Sequence, residues 1–473
     1  MSSTTSPRIL ELPSDALILI LRELSISSLL SVQQTCRVLH ALCSSDYIWH
    51  NINLDIPLNF PPHVGIESLS GSELRRLAVN ALRVDHNWGK RHTILKGIQH
   101  VQHGGIISEM RLLGSEWLVT LSRTSTSGAS MLSVWNIPQN SSVNRVRVVV
   151  LEALHSPKLA TCFQNDGTEL LVAVYYCSPS RTELLRVYNF PLIESGSDSA
   201  SDPSRYLTAQ LSGKDIQGTA FEAHICPGVV AVALAQFNNA FDHPKYRILL
   251  ADTVTGFYCL AQLHNPEPWS QMHFRLFPGL LVVTGIYEGN FTLHKYDIAD
   301  LKFTSSEASE DLELGPPFEE FSSPVEVPSS LGFDYTLSAD NFSRSLTWIT
   351  AMTYHQSQTF RYIIKFPMKQ TQYREVLAHK LPSDSGSTID VICIGHSGQR
   401  AVWLERRWHT DTFVLMKGSF PSGDDRKPSV STLVPRHMAL PFEFYACQSL
   451  AFDEATGRVC VGLHTGDLYL LDF

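Results

Sequence analysis

Residues 449–472 read SLAFDEATGRVCVGLHTGDLYLLD and show, in one short stretch, a pattern that recurs through most of the chain. Apolar and aromatic residues form three runs of strand length, and small polar residues separate them at Asp453–Gly457 and His464–Gly466. Runs of this composition, bounded by Gly, Asp and Thr, are typical of strands joined by tight turns. The stretch therefore predicts three consecutive antiparallel strands.

The same layout recurs upstream, in residues 161–189 and 390–416. Its clearest mark is an apolar strand closed by Asn or Asp, whose side chain can hydrogen-bond to the backbone of the next turn. The endings are Val134-Trp135-Asn136, Val187-Tyr188-Asn189, Leu250-Ala251-Asp252, Lys295-Tyr296-Asp297 and Leu470-Leu471-Asp472, with less clear copies at Ile363–Phe366 and Val414–Met416. Repetition of this kind predicts an architecture built from repeats.

This β-rich region, residues 92–473, resembles a degenerate WD-repeat-type β-propeller, although the Trp-Asp ending of that family is never intact here. Seven endings give about 55 residues per repeat, which is longer than the ~40–45 of compact blades. Two inserted loops account for part of the excess. The resemblance implies an all-β propeller, with seven blades as the best count. Six or eight blades, or a two-sheet β-sandwich array, stay open as alternatives.

The end of the chain predicts how such a ring would close. The last repeat stops after its third strand, at Phe473, so a fourth strand must come from elsewhere. The stretch Thr93–Leu95 follows directly on the preceding helical region and is the natural donor. We therefore expect Thr93–Leu95 to pair with Asp467–Asp472, so that both ends of the β region close the ring.

The first 91 residues have a helical pattern instead. Pro13 suits a first helical turn, and Asp15 stands where the helix dipole favours a negative charge. An apolar stripe at helical spacing follows, formed by Leu17, Ile20, Leu21 and Leu24. These features predict a first short helix.

Two further short helices are expected before the prolines at 57, 61 and 62. The stretch from Ser25 to Ser28 offers an N-cap for a helix with a second apolar stripe, Leu29, Val32, Cys36 and Leu39. A third helix can begin near Ser45 or Asp46, and it carries Ile48 and Trp49. Three such helices bury too little surface to be comfortably stable alone, so their leucines are expected to need another surface to cover them.

Residues 72–88, SELRRLAVNALRVDHNW, form a further amphipathic pattern that ends at the Trp88-Gly89 break. Its apolar face holds Leu74, Leu77, Ala78, Ala81 and Leu82. We expect a connector helix that packs the N-terminal module against the β region. The predicted division is a disordered tail at 1–8, a helical module at 9–60, a linker with the connector helix at 61–91, and the propeller-like domain from 92.

Residues 12–52, LPSDALILILRELSISSLLSVQQTCRVLHALCSSDYIWHNI, resemble the F-box. Leu12-Pro13 match the start of the family pattern, Asp15 replaces its Glu, and Cys36-Arg37 and Ile48-Trp49 fall at the expected spacings. Leu39 stands where the family often has an aromatic residue. The resemblance implies a small all-α module that binds the adaptor of an SCF-type ubiquitin ligase, and through it a cullin and a RING subunit.

The residues expected to contact that adaptor were chosen because they carry the motif or the apolar stripes. They are Leu12, Pro13, Asp15, Leu17, Ile20, Leu21, Leu24, Leu29, Val32, Cys36, Leu39 and Trp49. Burying a large apolar side chain is worth roughly 1.5–3 kcal/mol, so a handful of anchors could support tight binding. The alternative is that all these leucines form a core within the chain.

Composition excludes several other classes. The net charge of −9 does not favour binding to nucleic acid or to an anionic membrane. The apolar run Ala16–Leu21 is too short for a membrane span or a signal peptide. The nine cysteines contain no C-x-x-C pair, so we expect reduced thiols in the cytoplasm or nucleus. No metal site, cofactor or catalytic motif is expected.

Three functions are consistent with the sequence. The first is a non-catalytic substrate-receptor subunit of a cullin–RING ligase, which binds an unidentified protein target through the propeller. The second is a scaffold that binds the adaptor without directing ubiquitination. The third is a propeller hydrolase or metal enzyme with a helical cap, which carboxylates or histidines converging on the central channel would favour.

Overall fold

The structure is a computed structural model of the 473-residue chain. It describes every residue except 1–8, 53–55, 61–63, 65, 125–127, 139–141, 179–181, 193–203, 205, 214–217, 237–243, 265–268, 302, 304–311, 327–332, 338–347, 356–360, 369–374, 382–385, 421–426 and 436. The expected tail at 1–8 lies outside the described residues.

The N-terminal module contains four α-helices where the sequence predicted three. After a 3₁₀ turn at Ile9–Glu11 come α1 (Ser14–Arg22), α2 (Ile26–Gln33), α3 (Arg37–Cys43) and α4 (Asp46–Asn51). The predicted second helix is present but shorter than its stripe, because Cys36, whose extended backbone has φ −155° and ψ 165°, separates α2 from α3. Just before it, the Thr35 hydroxyl donates to the Val32 carbonyl and so competes with continuation of the helix.

The helix boundaries follow from local capping. The N-cap of α2 lies within the predicted stretch from Ser25 to Ser28: it is Ser25, whose Oγ accepts a hydrogen bond from the Ser28 backbone N–H. The connector helix α5 (Gly71–Trp88) begins with a capping box, in which Ser70 and Glu73 each bond the other's backbone N–H. It ends at Trp88 with Gly89 as the C-cap, where the sequence placed the break.

The rest of the described chain forms seven sheets arranged as a propeller, and each is a blade built on four antiparallel strands. Within each blade the strands are given from the innermost to the outermost. Blade 1 contains β2 (Ile106–Leu113), β3 (Trp117–Arg123), β4 (Ser130–Asn136) and β5 (Asn144–Leu151); blade 2 contains β6 (His155–Gln164), β7 (Glu169–Cys177), β8 (Glu183–Pro191) and β9 (Leu207–Gly213); blade 3 contains β10 (Thr219–Cys226), β11 (Val229–Gln236), β12 (Lys245–Asp252) and β13 (Tyr258–Gln262); and blade 4 contains β14 (Trp269–Phe277), β15 (Leu280–Tyr287), β16 (Asn290–Asp297) and β18 (Glu319–Glu326). Blade 5 contains β19 (Phe333–Leu337), β20 (Trp348–His355), β21 (Arg361–Pro367) and β22 (Leu377–Leu381); blade 6 contains β23 (Ser387–Ile394), β24 (Arg400–Arg407), β25 (Thr412–Ser419) and β26 (Ser429–Thr432); and blade 7 contains β27 (Cys447–Asp453), β28 (Arg458–Leu463), β29 (Asp467–Asp472) and β1 (Gly97–Gln102).

All seven sequence endings lie on the third strand of a blade, so the count of seven is confirmed and six, eight and the sandwich array are excluded. Two of the endings use their carboxylates as expected. The Asp252 Oδ1 accepts the backbone N–H groups of Val254 and Thr255, and the Asp297 Oδ1 accepts that of Ala299. In blade 3 the two-residue strand β17 (Leu312–Glu313) adds a fifth, parallel edge to β13.

Closure uses both ends of the β region, but the predicted donor Thr93–Leu95 is wrong. The strand that pairs with β29 is β1, from Gly97 opposite Asp472 to Gln102 opposite Asp467. Thr93 lies beside blade 6 instead, where its backbone N–H and its hydroxyl both donate to the Leu433 carbonyl. The chain therefore needs a few more residues to pass from the connector to the open edge of blade 7.

Two faces of the propeller follow from the strand order. The near face carries the turns between the first and second strands of each blade and the connections from the third to the fourth strands. The far face carries the turns between second and third strands and the connections between blades. The N-terminal module contacts the near face, where the Asn59 amide reaches Ser115.

Candidate functional site

The surface of the N-terminal module is unusually apolar for exposed helices. Leu19 is 60 % exposed, Val38 55 % and Tyr47 54 %. We define the apolar surface as these residues together with the exposed Ile9, Leu10, Leu12 and Ile20. Large exposed apolar side chains in one small module mark an interaction site more often than a free surface. The sequence stripes missed Ile9, Leu10, Leu19, Val38 and Tyr47, because helical spacing does not tell which face a neighbour covers.

The structure divides the residues predicted to bind the adaptor into three groups. Leu12, Pro13, Asp15 and Ile20 are exposed. Leu24, Val32 and Cys36 are half-buried. Leu17, Leu21, Leu29, Leu39 and Trp49 are buried within the chain. The first group is available to a partner as it stands, whereas the last can act only by supporting the helices. Their role at the adaptor stays a prediction.

The connector helix explains why those leucines are covered. Its residues Leu74, Ala78 and Ala81 are fully buried and share one hydrophobic core with Leu21 and Leu29. Trp49 completes that core, and its ring Nε1 donates to the Cys43 carbonyl at 2.9 Å. The sequence predicted that these leucines need another surface to cover them. Helix α5 covers Leu21 and Leu29, whereas the residues of the apolar surface stay uncovered.

The same helix enters the core of the propeller at its other end. Trp88 is 2 % exposed and belongs to the hydrophobic cluster of blades 6 and 7. Its ring stacks on Phe452 with centroids 5.2 Å apart, and its Nε1 donates to the Gly418 carbonyl at 3.0 Å. Helix α5 thus lies in two hydrophobic cores at once, which restricts rotation between module and ring.

Polar contacts reinforce this junction. Arg400 is buried, and its two terminal nitrogens donate to Asp85 Oδ1 at 2.8 Å and to the Glu454 carbonyl at 2.7 Å. The fully buried carboxylate of Glu454 accepts the backbone N–H groups of Ser397 and Gln399, both at 2.8 Å. One guanidinium therefore joins α5 to blades 6 and 7.

Two more contacts join the module to the ring. Lys417 on β25 donates its ammonium to the carbonyls of Trp88 and Lys90, and burial lowers the pKa of this lysine to about 8. The Asn59 amide donates to Ser115 Oγ at 2.8 Å, in the turn between β2 and β3. All of these propeller residues lie at the near face, on blades 6, 7 and 1.

The far face carries exposed apolar residues on the same three blades. Ile106 is 38 % exposed at the start of β2, Trp408 is 52 % exposed in the turn after β24, and Tyr445 is 66 % exposed just before β27. Trp408 is held by Arg406, whose guanidinium lies 4.2 Å from the ring centroid and pairs with Asp411 at 3.0 Å. These residues form a second candidate contact surface.

A carboxylate–histidine cluster joins the innermost strands of blades 3 and 4. Glu222 Oε1 is 3.0 Å from His224 Nε2, and Glu222 Oε2 is 3.1 Å from His273 Nδ1. Arg275 Nη1 lies 2.7 Å from both Glu222 Oε1 and His224 Nε2. Burial and this guanidinium lower the pKa of His224 to about 4, because both disfavour an imidazolium.

This cluster joins blades 3 and 4 through hydrogen bonds. The Phe274 backbone N–H also donates to Glu222 Oε2, so both carboxylate oxygens have donors from blade 4. The guanidinium stands where a cation would have to sit. Among the residues that the structure describes, no group of three His, Cys, Asp or Glu side chains could hold a metal ion. In the described part of the chain, no helix is long and apolar enough to cross a membrane.

Comparison with known proteins identifies the N-terminal module. Residues 9–55 match the family model described as F-box-like. No curated protein matches the chain in sequence. Among solved structures, a chain of the "Crystal Structure of Mitotic Checkpoint Complex" is 12% identical with a TM-score of 0.43, covering 81% of this chain and 96% of that one. That likeness is too distant to indicate function. The chain thus carries an F-box-like domain at residues 9–55, followed by a seven-bladed β-propeller.

Proposed function

We propose that a chain in which an F-box-like domain is fixed to a seven-bladed propeller is the substrate-receptor subunit of a cullin–RING ubiquitin ligase. The F-box-like domain binds the ligase adaptor, and the propeller holds a protein target. The single observation that carries the proposal is the apolar surface around Leu19 and Ile20, left uncovered in a module where Leu17, Leu21, Leu29 and Leu39 are buried.

The energetics of the apolar surface support adaptor binding. Leu12, Leu19 and Ile20 are 36 %, 60 % and 43 % exposed, so each has a large apolar area to lose on binding. Each such side chain contributes roughly 1.5–3 kcal/mol when fully buried, before the costs of association are subtracted. A helical partner with a complementary apolar face could therefore bind this module tightly.

The junction supports a role in presentation. A ligase receptor must hold its target at a defined place relative to the catalytic subunits, because proximity and orientation are all that it contributes. Helix α5 supplies that fixed geometry by lying in both hydrophobic cores, through Ala78 on one side and Trp88 on the other. A flexible linker would not.

Two features support the far face as the place of the target. The contacts that Asn59 and Trp88 make with the described propeller fall on near-face residues, Ser115 and Gly418, which leaves the opposite face to a target. Ile106, Trp408 and Tyr445 are exposed there, and exposed aromatic residues are frequent anchors of protein interfaces. The protein would do no covalent chemistry of its own.

The alternatives differ from this proposal in testable ways. A scaffold would bind the adaptor but transfer no ubiquitin to what the propeller holds. A channel hydrolase would rely on the Glu222–His224–His273 cluster, but Arg275 already occupies the centre of that cluster. We therefore favour the receptor.

The test is reconstitution of the full-length protein with purified ligase adaptor. Wild type should form a stable complex, and a triple Leu12→Ser, Leu19→Ser, Ile20→Ser variant should lose at least about tenfold in affinity while keeping its melting temperature. A matched control carries three exposed polar changes, Ser27→Ala, Gln34→Ala and Asn51→Ala. Equal binding by wild type and the triple variant would refute the proposal.

A second step separates receptor from scaffold. The reconstituted ligase is supplied with cullin, RING subunit, activating and conjugating enzymes, and a protein cross-linked to the far face in cells. Ubiquitin transfer to that protein, lost when Trp408 and Tyr445 are both changed to Ser, supports the receptor. Adaptor binding without any transfer supports the scaffold.

A further inference from the structure

Three successive blades carry a buried lysine at one structural position. The third-strand residue that pairs with the third residue of the second strand defines this position in each blade, and in blade 2 it is the half-buried Asn189. In blades 1, 3 and 7 this residue is the buried apolar Val134, Leu250 or Leu470. In blades 4, 5 and 6 it is Lys295, Lys365 or Lys417, each at most 3 % exposed. Burying an ammonium without hydrogen-bond acceptors is costly, so each of these lysines requires acceptors. The groups that accept from a lysine show which elements are joined at this position.

The first two lysines follow a common rule. Lys295 of blade 4 donates to the carbonyl of Met368 in blade 5. Lys365 of blade 5 donates to the carbonyl of Phe420 in blade 6. Met368 and Phe420 each stand three residues after the lysine of their own blade. The lysines thus form a ladder in which each blade is tied to the next one at the near face.

The third lysine departs from this rule. The position three residues after Leu470 in blade 7 is Phe473, and its carbonyl would be the acceptor for Lys417. Lys417 donates instead to the carbonyls of Trp88 and Lys90, at the end of the connector. The Phe473 carbonyl accepts the ammonium of Lys96, which also belongs to the connector, at 2.8 Å.

We propose that residues 84–96, the connector end, are a structural part of the ring, inserted in the ladder between blades 6 and 7, and that Lys417 is the positioning residue that locks the F-box-like domain to the propeller. Between the earlier blades, one lysine donates to one carbonyl of the next blade. Between blades 6 and 7, Lys417 donates to the connector and Lys96 of the connector donates to Phe473. The proposal deepens the proposed function, because it names the residue that fixes where a target is held relative to the adaptor.

Packing in the seam supports this insertion. The Val84 side chain lies against Gly457, where a Cβ on the glycine would stand 3.2 Å from Val84 Cγ1. The Lys96 backbone N–H donates to the Asp472 carbonyl at 2.7 Å, one residue before β1 begins its pairing with β29. Asn87 holds the segment in shape, since its side chain bonds both the N–H and the carbonyl of Ile94.

The experiment is amide hydrogen exchange on the full-length protein, comparing Lys417→Met with Lys365→Met. Both variants remove a buried ammonium at the same position of successive blades. We expect Lys417→Met to speed exchange in residues 84–96 by about tenfold or more, and Lys365→Met to leave that segment unchanged. Protection of residues 84–96 in Lys417→Met, or equal loss of it in Lys365→Met, would overturn the proposal.

A second variant covers the case in which Lys417→Met does not fold. Lys96 is exposed, so Lys96→Met is expected to fold and to speed exchange in residues 90–97 while residues 14–52 stay protected. Unchanged exchange in residues 90–97 would also contradict the insertion. Adaptor affinity is measured separately on wild type, so failure of adaptor binding refutes the receptor proposal and leaves the exchange result standing.

Discussion

Asp85 on the connector helix and Arg400 on blade 6 form an ion pair of 2.8 Å, and the Arg400 side chain is almost completely buried. The pair joins the connector helix α5 to the ring, and the other acceptor described for this guanidinium is the Glu454 carbonyl. A buried charge that loses one of its partners is costly, because water cannot replace the missing acceptor. Removal of the Asp85 carboxylate is therefore expected to lower the free energy of unfolding measurably.

We expect Asp85→Ala to lower the free energy of unfolding by about 1–3 kcal/mol, because Arg400 keeps only the Glu454 carbonyl as a described acceptor. Arg83→Ala is the control, since Arg83 is exposed on the same helix and its hydrogen bond to Asn80 Oδ1 is long, at 3.5 Å. Urea denaturation measures both variants. Equal stability of the two would contradict a role for the pair.

Leu19 and Leu21 are two residues apart on α1 and should respond in opposite ways. Leu21 is 3 % exposed in the core shared with α5, so Leu21→Ala should cost about 2–5 kcal/mol of stability. Leu19→Ala should leave the melting temperature unchanged and weaken adaptor binding. Differential scanning calorimetry and an adaptor titration separate the two. A stable Leu21→Ala variant with weakened binding would show that the buried leucine acts at the interface directly.

The closing strand offers a matched pair of its own. Val101 is 7 % exposed on the inner side of β1 and packs in a core with residues of blades 1 and 7, whereas Ile98 is 39 % exposed. Val101→Asp should lower stability by several kcal/mol, because an unpaired carboxylate cannot be buried there. Ile98→Asp should change it by at most about 0.5 kcal/mol. Thermal unfolding that treats the two alike would argue against β1 as the closing strand.

Gly71 should be intolerant of substitution. A Cβ there would stand 2.8 Å from the Asp46 Cα, a backbone atom that cannot move without displacing α4, and Asp46 Oδ1 accepts the Gly71 N–H at 2.7 Å. Gly71→Ala should therefore cost about 1–3 kcal/mol. Gly89→Ala is the control, since the nearest atom to its Cβ is 3.4 Å away and its φ of −67° suits alanine. Chemical denaturation compares the two.

Stability should fall in mild acid. His103 is 2 % exposed, its Nε2 lies 2.6 Å from Thr120 Oγ1, and burial with the nearby Arg145 lowers its pKa to about 4. The unfolded chain therefore binds a proton below about 6.5 that the folded chain refuses. The stabilisation is fully present above pH 6.5 and is lost as the pH falls towards 4, by about 3 kcal/mol for this group.

The check is the melting temperature between pH 7 and pH 4. His103→Gln, which can still bond to Thr120, should flatten the fall, and the exposed His437→Gln should leave it unchanged. Identical pH profiles for wild type and His103→Gln would show that other groups dominate. His224 has its pKa lowered in the same direction and should account for part of the remaining slope.

Much of this architecture is contained in local sequence. The third-strand endings, such as Lys295-Tyr296-Asp297, predicted seven blades because each repeat carries its own strands and turns. A cap between Ser25 and Ser28 and the connector helix were predicted for the same reason, since capping and helical periodicity are set by residues a few positions apart. The F-box motif at Leu12-Pro13 is equally local, and the family comparison confirms it.

What only the tertiary structure decided concerns residues whose partners are distant in the chain. Sequence spacing placed Leu21 and Leu29 on stripes, but their burial depends on α5, some 50 residues away. The closing strand shifted from Thr93 to Gly97 because the path around blade 6 fixes where the chain reaches blade 7. Lys417 reads as part of an ordinary strand, and only the packing of the connector against the ring gives its ammonium the carbonyls of Trp88 and Lys90 as acceptors. Local interactions set the elements, whereas the surface that each element buries depends on long-range packing, which no short stretch of sequence specifies.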